Sequence, residues 1–365
     1  MEADLTNLVN PALIESELEK IWDSLQGTNK MRACLFNLII YSKKSQRVGY
    51  LNEVTQKIIE KFPCRIIFVT YDEACTSHEL KTSVSVLTAD EGAYEIVCDF
   101  IEVEVCSKDH PRVPFVILPH ILPDLPIYLL HADDPSEKNP VAEKLEHLAH
   151  RIIFDSEAAG NLPLFAKAVL SHSERCNADV ADLNWARTEG WRTLFASVFR
   201  GDEALEDIRG AKTIEICYNG RATDYVCHTN IQAIYFQAWL ALQLNWTMDK
   251  VTTPSTFHYS GPKGPVTISL KPEQTDEVSP GRILSIEITT DKQNHYLFKR
   301  KKTCPNHVQI ERSTPEMCLL PASYVLDKDI SGQSLVKEIC HTGTSKHYTN
   351  VLSFLSNLKE SFCDE

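Results

Sequence analysis

Three acidic groups stand where a parallel sheet would present ligands. Asp72-Glu73, His131-Ala132-Asp133-Asp134 and Asp155-Ser156 each follow a short apolar run. Ligands of parallel sheets sit at the carboxyl ends of the strands, and converging carboxylates there could hold Mg²⁺ or act as general acid and base. That chemistry would be a metal-dependent reaction on a sugar phosphate, because an acidic rim repels a phosphate ester unless a cation intervenes. Capping is the competing role: Asp and Ser start helices, and a helix follows Asp155. Cys304-x-x-His307, Cys227-His228 and Cys340-His341 are halves of zinc sites without a partner at ligand spacing, so no metal site is assigned. After the first strand-like run the chain reads Ser42-Lys43-Lys44-Ser45-Gln46-Arg47-Val48-Gly49, with neither G-x-G-x-x-G nor a Walker A pattern. No G-x-S-x-G, H-E-x-x-H or H-x-x-x-H occurs either. The expectation is therefore no catalytic residues and no cofactor. The dense basic run Phe298-Lys299-Arg300-Lys301-Lys302 reads as a solvated hairpin end, with phosphate or an acidic partner as the alternative.

The densest segment is of another kind. Asp182-Leu183-Asn184-Trp185-Ala186-Arg187-Thr188-Glu189-Gly190-Trp191-Arg192 packs two tryptophans, two arginines and two acids into eleven residues. Read as a single helix capped by Asp182, it sets Trp191, Leu194, Phe195 and Val198 on one stripe. Trp185 then falls roughly 120° from Trp191, beside Glu189 and Arg192. Trp and Arg are the side chains most enriched in binding hot spots. The segment reads as a packed junction or docking surface rather than a reaction centre, with burial of Trp185 as the plainer alternative.

Composition narrows the partners. The chain has 365 residues, 43% hydrophobic and 24% charged, with net charge −13. Two domains are the default at this length. The acidic balance argues against nucleic acid and anionic membrane as partners, since both need clustered Lys and Arg. The opening residues carry acids and no basic residue, unlike a signal peptide. Tyr225 to Met248 lacks formal charge, but Asn and Gln interrupt it, and it reads as a buried helix. Twelve cysteines without a targeting signal read as reduced thiols of a cytoplasmic protein.

The elements that would position these groups alternate. Asn10-Pro11 starts a helix carrying Ile14, Leu18, Ile21 and Leu25. Nearly continuous apolar runs at Leu35–Tyr41, Arg65–Thr70, Pro126–Leu130 and Arg151–Phe154 read as strands buried on both faces. Helical patterns at Val48–Phe62, Pro140–Ala149 and Leu162–Ser173 lie between them, which predicts βαβ units. Ser83–Leu87 and Tyr94–Val105 form a hairpin toward an edge. Later, Thr213–Tyr218, a helix Ile231–Trp246 and alternating strands at Val266–Leu270, Arg282–Thr290, His295–Lys299 and His307–Glu311 precede a closing helix. The fold class is α/β, α+β overall: a mixed, mainly parallel sheet flanked by helices, then a C-terminal α+β domain with antiparallel strands. The expected boundaries are residues 1–30 (N-terminal helix), 31–178 (α/β domain) and 179–365 (C-terminal domain).

The Asp-Leu-Asn-Trp-x-Arg…Trp-Arg run resembles the central motif of the OpcA family, the bacterial glucose-6-phosphate dehydrogenase assembly proteins. Arg32-Ala33, Pro63-Cys64-Arg65, Ile96–Ile101, Asp124–Leu129 and Ile152–Ser156 fall in the same order as in that family. The likeness covers roughly residues 30 to 250. It implies a non-catalytic assembly factor or allosteric activator that binds glucose-6-phosphate dehydrogenase and supports the oxidative pentose phosphate pathway. It also implies that Asp182, Asn184, Trp185, Arg187, Trp191 and Arg192 hold or form the docking surface.

Overall fold

The computed structural model describes residues 7–89, 95–223, 226, 228–253, 255–326 and 332–358. They form two compact units. One takes in the chain to residue 159, then 168–183 and 331–345; the other takes in 160–167, 184–330 and the chain from 346. The helices, in chain order, are α1 (Ile14–Ser24), α2 (Arg47–Ile59), α3 (Val113–Ile117), α4 (Pro140–Glu146), α5 (Leu162–Arg175), α6 (Leu183–Arg187), α7 (Glu189–Val198), α8 (Asp202–Arg209), α9 (Ile231–Gln243), α10 (Gln333–Cys340) and α11 (Lys346–Ser356).

The first unit is built on strands β1 (Asn7–Val9), β2 (Lys30–Arg32), β3 (Asn37–Lys43), β4 (Arg65–Asp72), β5 (Leu80–Ala89), β6 (Glu95–Cys106), β7 (Ile127–His131), β8 (Arg151–Phe154) and β9 (Asp179–Asp182). Their order is β1-β5-β6-β4-β3-β7-β8-β9, with β2 alongside β6. From β6 to β9 the neighbours run parallel, and β5 and β1 are antiparallel additions. The chain winds outward from β3 in both directions, so a topological switch point lies between β3 and β7. Residues of β3, β4 and β8 are buried on both faces, as their unbroken apolar sequence predicts. Leu51, Val54 and Ile58 of α2 close one face with Leu335 and Ile339 of α10.

That last contact explains a difference from the expected boundaries. Residues 331–345 belong with the first unit because α10 packs on α2 and Glu338 pairs with Arg151 at 2.6 Å, both nearly inaccessible. The N-terminal helix is likewise part of this unit, with β1 extending the sheet. The expectation of twelve reduced thiols is corrected at one place. Cys75, after β4, and Cys106, ending β6, lie with Cα atoms 5.1 Å apart and form a disulfide. Cys227 and Cys363 lie outside the described residues.

The second unit carries strands β10 (Ala211–Asn219), β11 (Thr247–Thr253), β12 (Thr256–Gly261), β13 (Gly264–Glu273), β14 (Ile283–Thr290), β15 (His295–Lys301), β16 (Cys304–Ser313) and β17 (Ala322–Val325) in the order β11-β12-β13-β10-β14-β15-β16-β17. All pairs are antiparallel except β10 with β13. Gly261–Pro265 forms the β12–β13 hairpin, where Gly264 takes φ 118°. Asp291–Asn294 turns β14 into β15, with Gln293 at φ 60°. Phe195 of α7, Phe236 of α9 and Phe298 of β15 meet at 4.6–4.9 Å between ring centres and form the centre of this core. Tyr348, Val351, Leu352 and Leu355 bury one face of α11.

Candidate functional site

The switch point is where an α/β sheet offers a ligand crevice. In this chain, side chains of the protein fill it. Tyr41 (β3), Tyr71 (β4) and His110 stack, with ring centres 4.5 Å apart for Tyr71–His110 and 5.2 Å for Tyr41–Tyr71. Tyr41 Oη lies 2.6 Å from His110 Nε2, and Asn139 Nδ2 donates to Tyr41 Oη at 2.7 Å. Burial pushes both phenols up and the His110 imidazole down, so all three are held neutral. The β3–α2 turn carries no glycine before Arg47, and Asp133 accepts from the Lys43 N–H at 2.9 Å. A pyrophosphate at this turn would meet a carboxylate and an aromatic stack instead of open backbone amides.

The strand-end acids do not converge. Asp72 accepts from the N–H groups of Ala74 and Cys75, and Asp134 from Ser136 N–H. Asp155 is fully buried, pairs with Arg47 at 2.5 Å and caps the following turn through Glu157 N–H. Burial raises the Asp133 carboxyl above its ordinary value; His131 and the Lys43 N–H oppose this only in part. Each acid is committed to local structure, and none belongs to a group spaced for a shared cation among the described residues. Neither the Cys304/His307 nor the Cys340/His341 pair gathers a third ligand there; Cys227 is outside those residues.

The Trp/Arg segment departs from the single helix expected. It breaks at Thr188 into α6 and α7, and Thr188 Oγ1 donates to the Trp185 carbonyl at 2.9 Å. Asp182, at the end of β9, accepts from the N–H and Oγ of Ser156, each at 3.1 Å. Asn184 Oδ1 accepts from Arg187 at 2.9 Å and faces Gln232. Trp185 is 5% exposed, against Tyr235 and Tyr348, with the Arg192 guanidinium 3.5 Å above its ring. The i→i−4 bonds from Thr188 N–H to the Asn184 carbonyl and from Arg192 N–H to the Thr188 carbonyl run across this junction, and Trp185 lies inward. Trp191, 2% exposed, lies beneath Arg300 of the basic run, whose Nε and Nη1 donate to the carbonyls of Ile283 and Pro305. Arg300 is thus structural, while Lys299 and Lys302 are exposed at the hairpin.

Sequence reading missed a buried group. Glu146, ending α4, and His172 and Cys176, one turn apart at the end of α5, bring ligand atoms within 4.8 Å of one another. H-x-x-x-C on a helix was the available signal, one letter from the H-x-x-x-H pattern, and Glu146 comes from another element.

Two α/β units, one with the doubly wound strand order and a switch point closed by its own side chains, define the class: a protein with a dinucleotide-type sheet and no open phosphate turn. The chain belongs to the OpcA family. Residues 55–168 match the family described as glucose-6-phosphate dehydrogenase subunit N-terminal domain, and residues 178–339 match its C-terminal domain. It is 27% identical over 199 residues to the OxPP cycle protein OpcA of Synechocystis sp. and 24% identical over 196 residues to that of Nostoc punctiforme. Each match takes in 53% of this chain, and the chain spans 40% of the length of these relatives. Among solved structures, a 3-ketoreductase from Actinomadura kijaniata aligns over 88% of this chain and 95% of its own at 7% identity and TM-score 0.49. A likeness that loose assigns nothing. No helix among the described residues is long and apolar enough to cross a membrane.

Proposed function

We propose that this chain is a non-catalytic accessory protein that binds glucose-6-phosphate dehydrogenase and shifts it toward a more active state or assembly. The observation that carries this reading is the closed switch point: Tyr41, Tyr71, His110 and Asn139 occupy the place where a sheet of this order would take a nucleotide. The family's description, which names glucose-6-phosphate dehydrogenase, supports this choice of partner. A ten-fold activation needs only about 1.4 kcal/mol of differential binding to two states of the dehydrogenase, within reach of a modest interface. The reading as a metal-dependent sugar-phosphate enzyme loses its footing, because its acids are spread among separate local bonds.

The Trp/Arg segment serves this role from inside. Trp185 and Trp191 are buried, and Asp182, Asn184, Arg187 and Arg192 bond to neighbouring backbone and side chains. What the segment supports is the free edge of the second sheet. A Cβ added at Gly190 would come 3.0 Å from Leu326 Cδ2, so α7 packs directly on the chain leaving β17. Beside that edge Met317, Leu319, Leu320 and Val325 are exposed, Leu320 by 94%. An edge strand with no further pairing partner among the described residues, flanked by apolar side chains, marks an interaction surface. The docking face is this edge.

Trp185→Ala and Trp191→Ala should each cost roughly 3–5 kcal/mol in urea unfolding, so neither is a clean surface probe. Leu320→Asp with Met317→Asp should melt as wild type yet abolish co-elution with the dehydrogenase and its activation at sub-saturating substrate. Normal activation by this folded double variant would remove the edge from the reading. A purified wild-type chain that neither co-elutes nor alters dehydrogenase kinetics would end it.

A further inference from the structure

The first unit holds a group of buried side chains that the docking function does not use. Glu146 is 1% exposed, His172 5% and Cys176 7%. His172 and Cys176 share one helical face because they are four residues apart, and the Cys176 N–H continues the α5 ladder to the His172 carbonyl at 2.9 Å. The Glu146 carboxylate enters from the end of α4. Its Oε1 lies 3.0 Å from His131 Nδ1. Its Oε2 lies 2.5 Å from His172 Nδ1, a close ion-pair contact, and the same nitrogen lies 3.3 Å from Arg175 Nη2.

The carboxylate, an imidazole nitrogen and a thiol gather at one place, since all three ligand atoms lie within 4.8 Å of one another. Two helices thus bring three donors of different chemistry, each more than nine-tenths buried, to one point of the unit. We propose that Glu146, His172 and Cys176 form a binding site for a divalent transition metal of the zinc class.

The donor set suits that ion: one carboxylate oxygen, one imidazole nitrogen and one thiolate are all common zinc ligands, and bonds of about 2.0–2.3 Å need ligand atoms roughly 3.3–3.8 Å apart. Small side-chain rotations from the present spacing reach it. The surroundings suit it as well. His131 holds the carboxylate oxygen left over, the orienting contact that ligating carboxylates usually have. His147, next to Glu146 in sequence, brings Nδ1 to 3.8 Å from Cys176 Sγ and is the nearest candidate for a fourth ligand. A pocket of about 240 Å³, lined among others by Asn139, Glu143, Glu146, Ser171, His172 and Arg175, gives an ion a way in. On binding, Cys176 gives up its thiol proton to solvent and the sulfur lone pair bonds the metal; no electron changes hands.

The test is a metal titration of the full chain after stripping with a chelator. Zinc added against a chromogenic competitor should be taken up at one equivalent, and Co²⁺ should give the near-ultraviolet thiolate-to-metal absorption. His172→Ala and Cys176→Ser should each weaken binding at least a hundred-fold, and Cys176→Ser should also erase the thiolate band. Cys304→Ser with Cys340→Ser should leave both readouts unchanged. Two results overturn the site: a stripped wild-type chain that takes up no zinc and shows no cobalt–thiolate band, or folded His172 and Cys176 variants that bind as wild type. Should the variants fail to fold, the wild-type stoichiometry and cobalt spectrum decide alone.

Discussion

The two ends of the first unit's sheet are built on opposite plans. At the amino end, Arg65 opens β4 and is 2% exposed, yet every contact around it is satisfied. Its Nε and Nη2 donate to Asp99 at 3.0 and 2.7 Å, and its Nη1 reaches Glu15 at 2.8 Å and the His120 carbonyl at 2.9 Å. Asp99 also accepts from Trp22 Nε1 and Arg32 Nη2, and Arg151 at the start of β8 pairs with Glu338. At the carboxyl end, the rings of Tyr41, Tyr71 and His110 stack near Asp133, and the Glu146 carboxylate lies between His131 and His172 on α4 and α5. Paired charge at one end fastens strands, α1 and α10. At the carboxyl end a buried ion pair, Arg47 with Asp155, stands beside a neutral aromatic stack that fills the switch point. In α/β sheets ligands bind at the carboxyl end, and here the chain's own side chains stand in the crevice.

The largest test of this division is Arg65→Met, which strands the buried Asp99 charge. It should cost about 3–5 kcal/mol in urea unfolding, toward the lower figure because Arg32 and Trp22 still hold Asp99. A loss below about 1 kcal/mol would mean that the amino end does not carry the unit. Tyr41→Phe at the other end removes one hydroxyl from between His110 and Asn139 and should cost roughly 1–2 kcal/mol with dehydrogenase activation unchanged. A Phe variant that melts as wild type but no longer activates the dehydrogenase would reverse the comparison and place function in the crevice.

Much of this was legible in the sequence. Unbroken apolar runs gave the strands of the parallel sheet within a few residues, because burial on both faces leaves no room for polar alternation. Short elements such as β1, β9 and β17 escaped, since three or four residues hold too little pattern. The strand-end acids could be listed but not aimed: only coordinates show that Asp72 and Asp134 bond to N–H groups two residues on. The Trp/Arg segment stands out as a motif, but a helical wheel cannot say that Tyr235 and Tyr348, distant in sequence, bury Trp185. Arg65 reads in the sequence only as part of a strand, because its partners Glu15 and Asp99 lie far off along the chain. The Glu146 group stayed hidden for the same reason.

The smallest effect separates the two ends by sign. Glu15 sits at the amino end. Burial alone would raise its carboxyl, but His120 and Arg65 together lower it below the ordinary 4.5. The folded chain therefore holds the Glu15 proton less tightly than the unfolded chain does, and this contribution is present above the ordinary value and lost as pH falls through the lowered one. Asp133 is the reverse: burial raises it above the ordinary 3.8. Its contribution is present below that value and lost as pH rises through the raised one. Urea midpoints from pH 3 to pH 7 should therefore show Glu15→Gln flattening the acid side of the profile and Asp133→Asn flattening the side above pH 3.8. The Glu15 effect should stay under about 1 kcal/mol, because the side chain is 45% exposed and solvent screens its pair. If both variants flatten the same side, paired charge and closed crevice do not divide the sheet as described, and Asp133 must have a charge partner at the carboxyl end that holds it ionised.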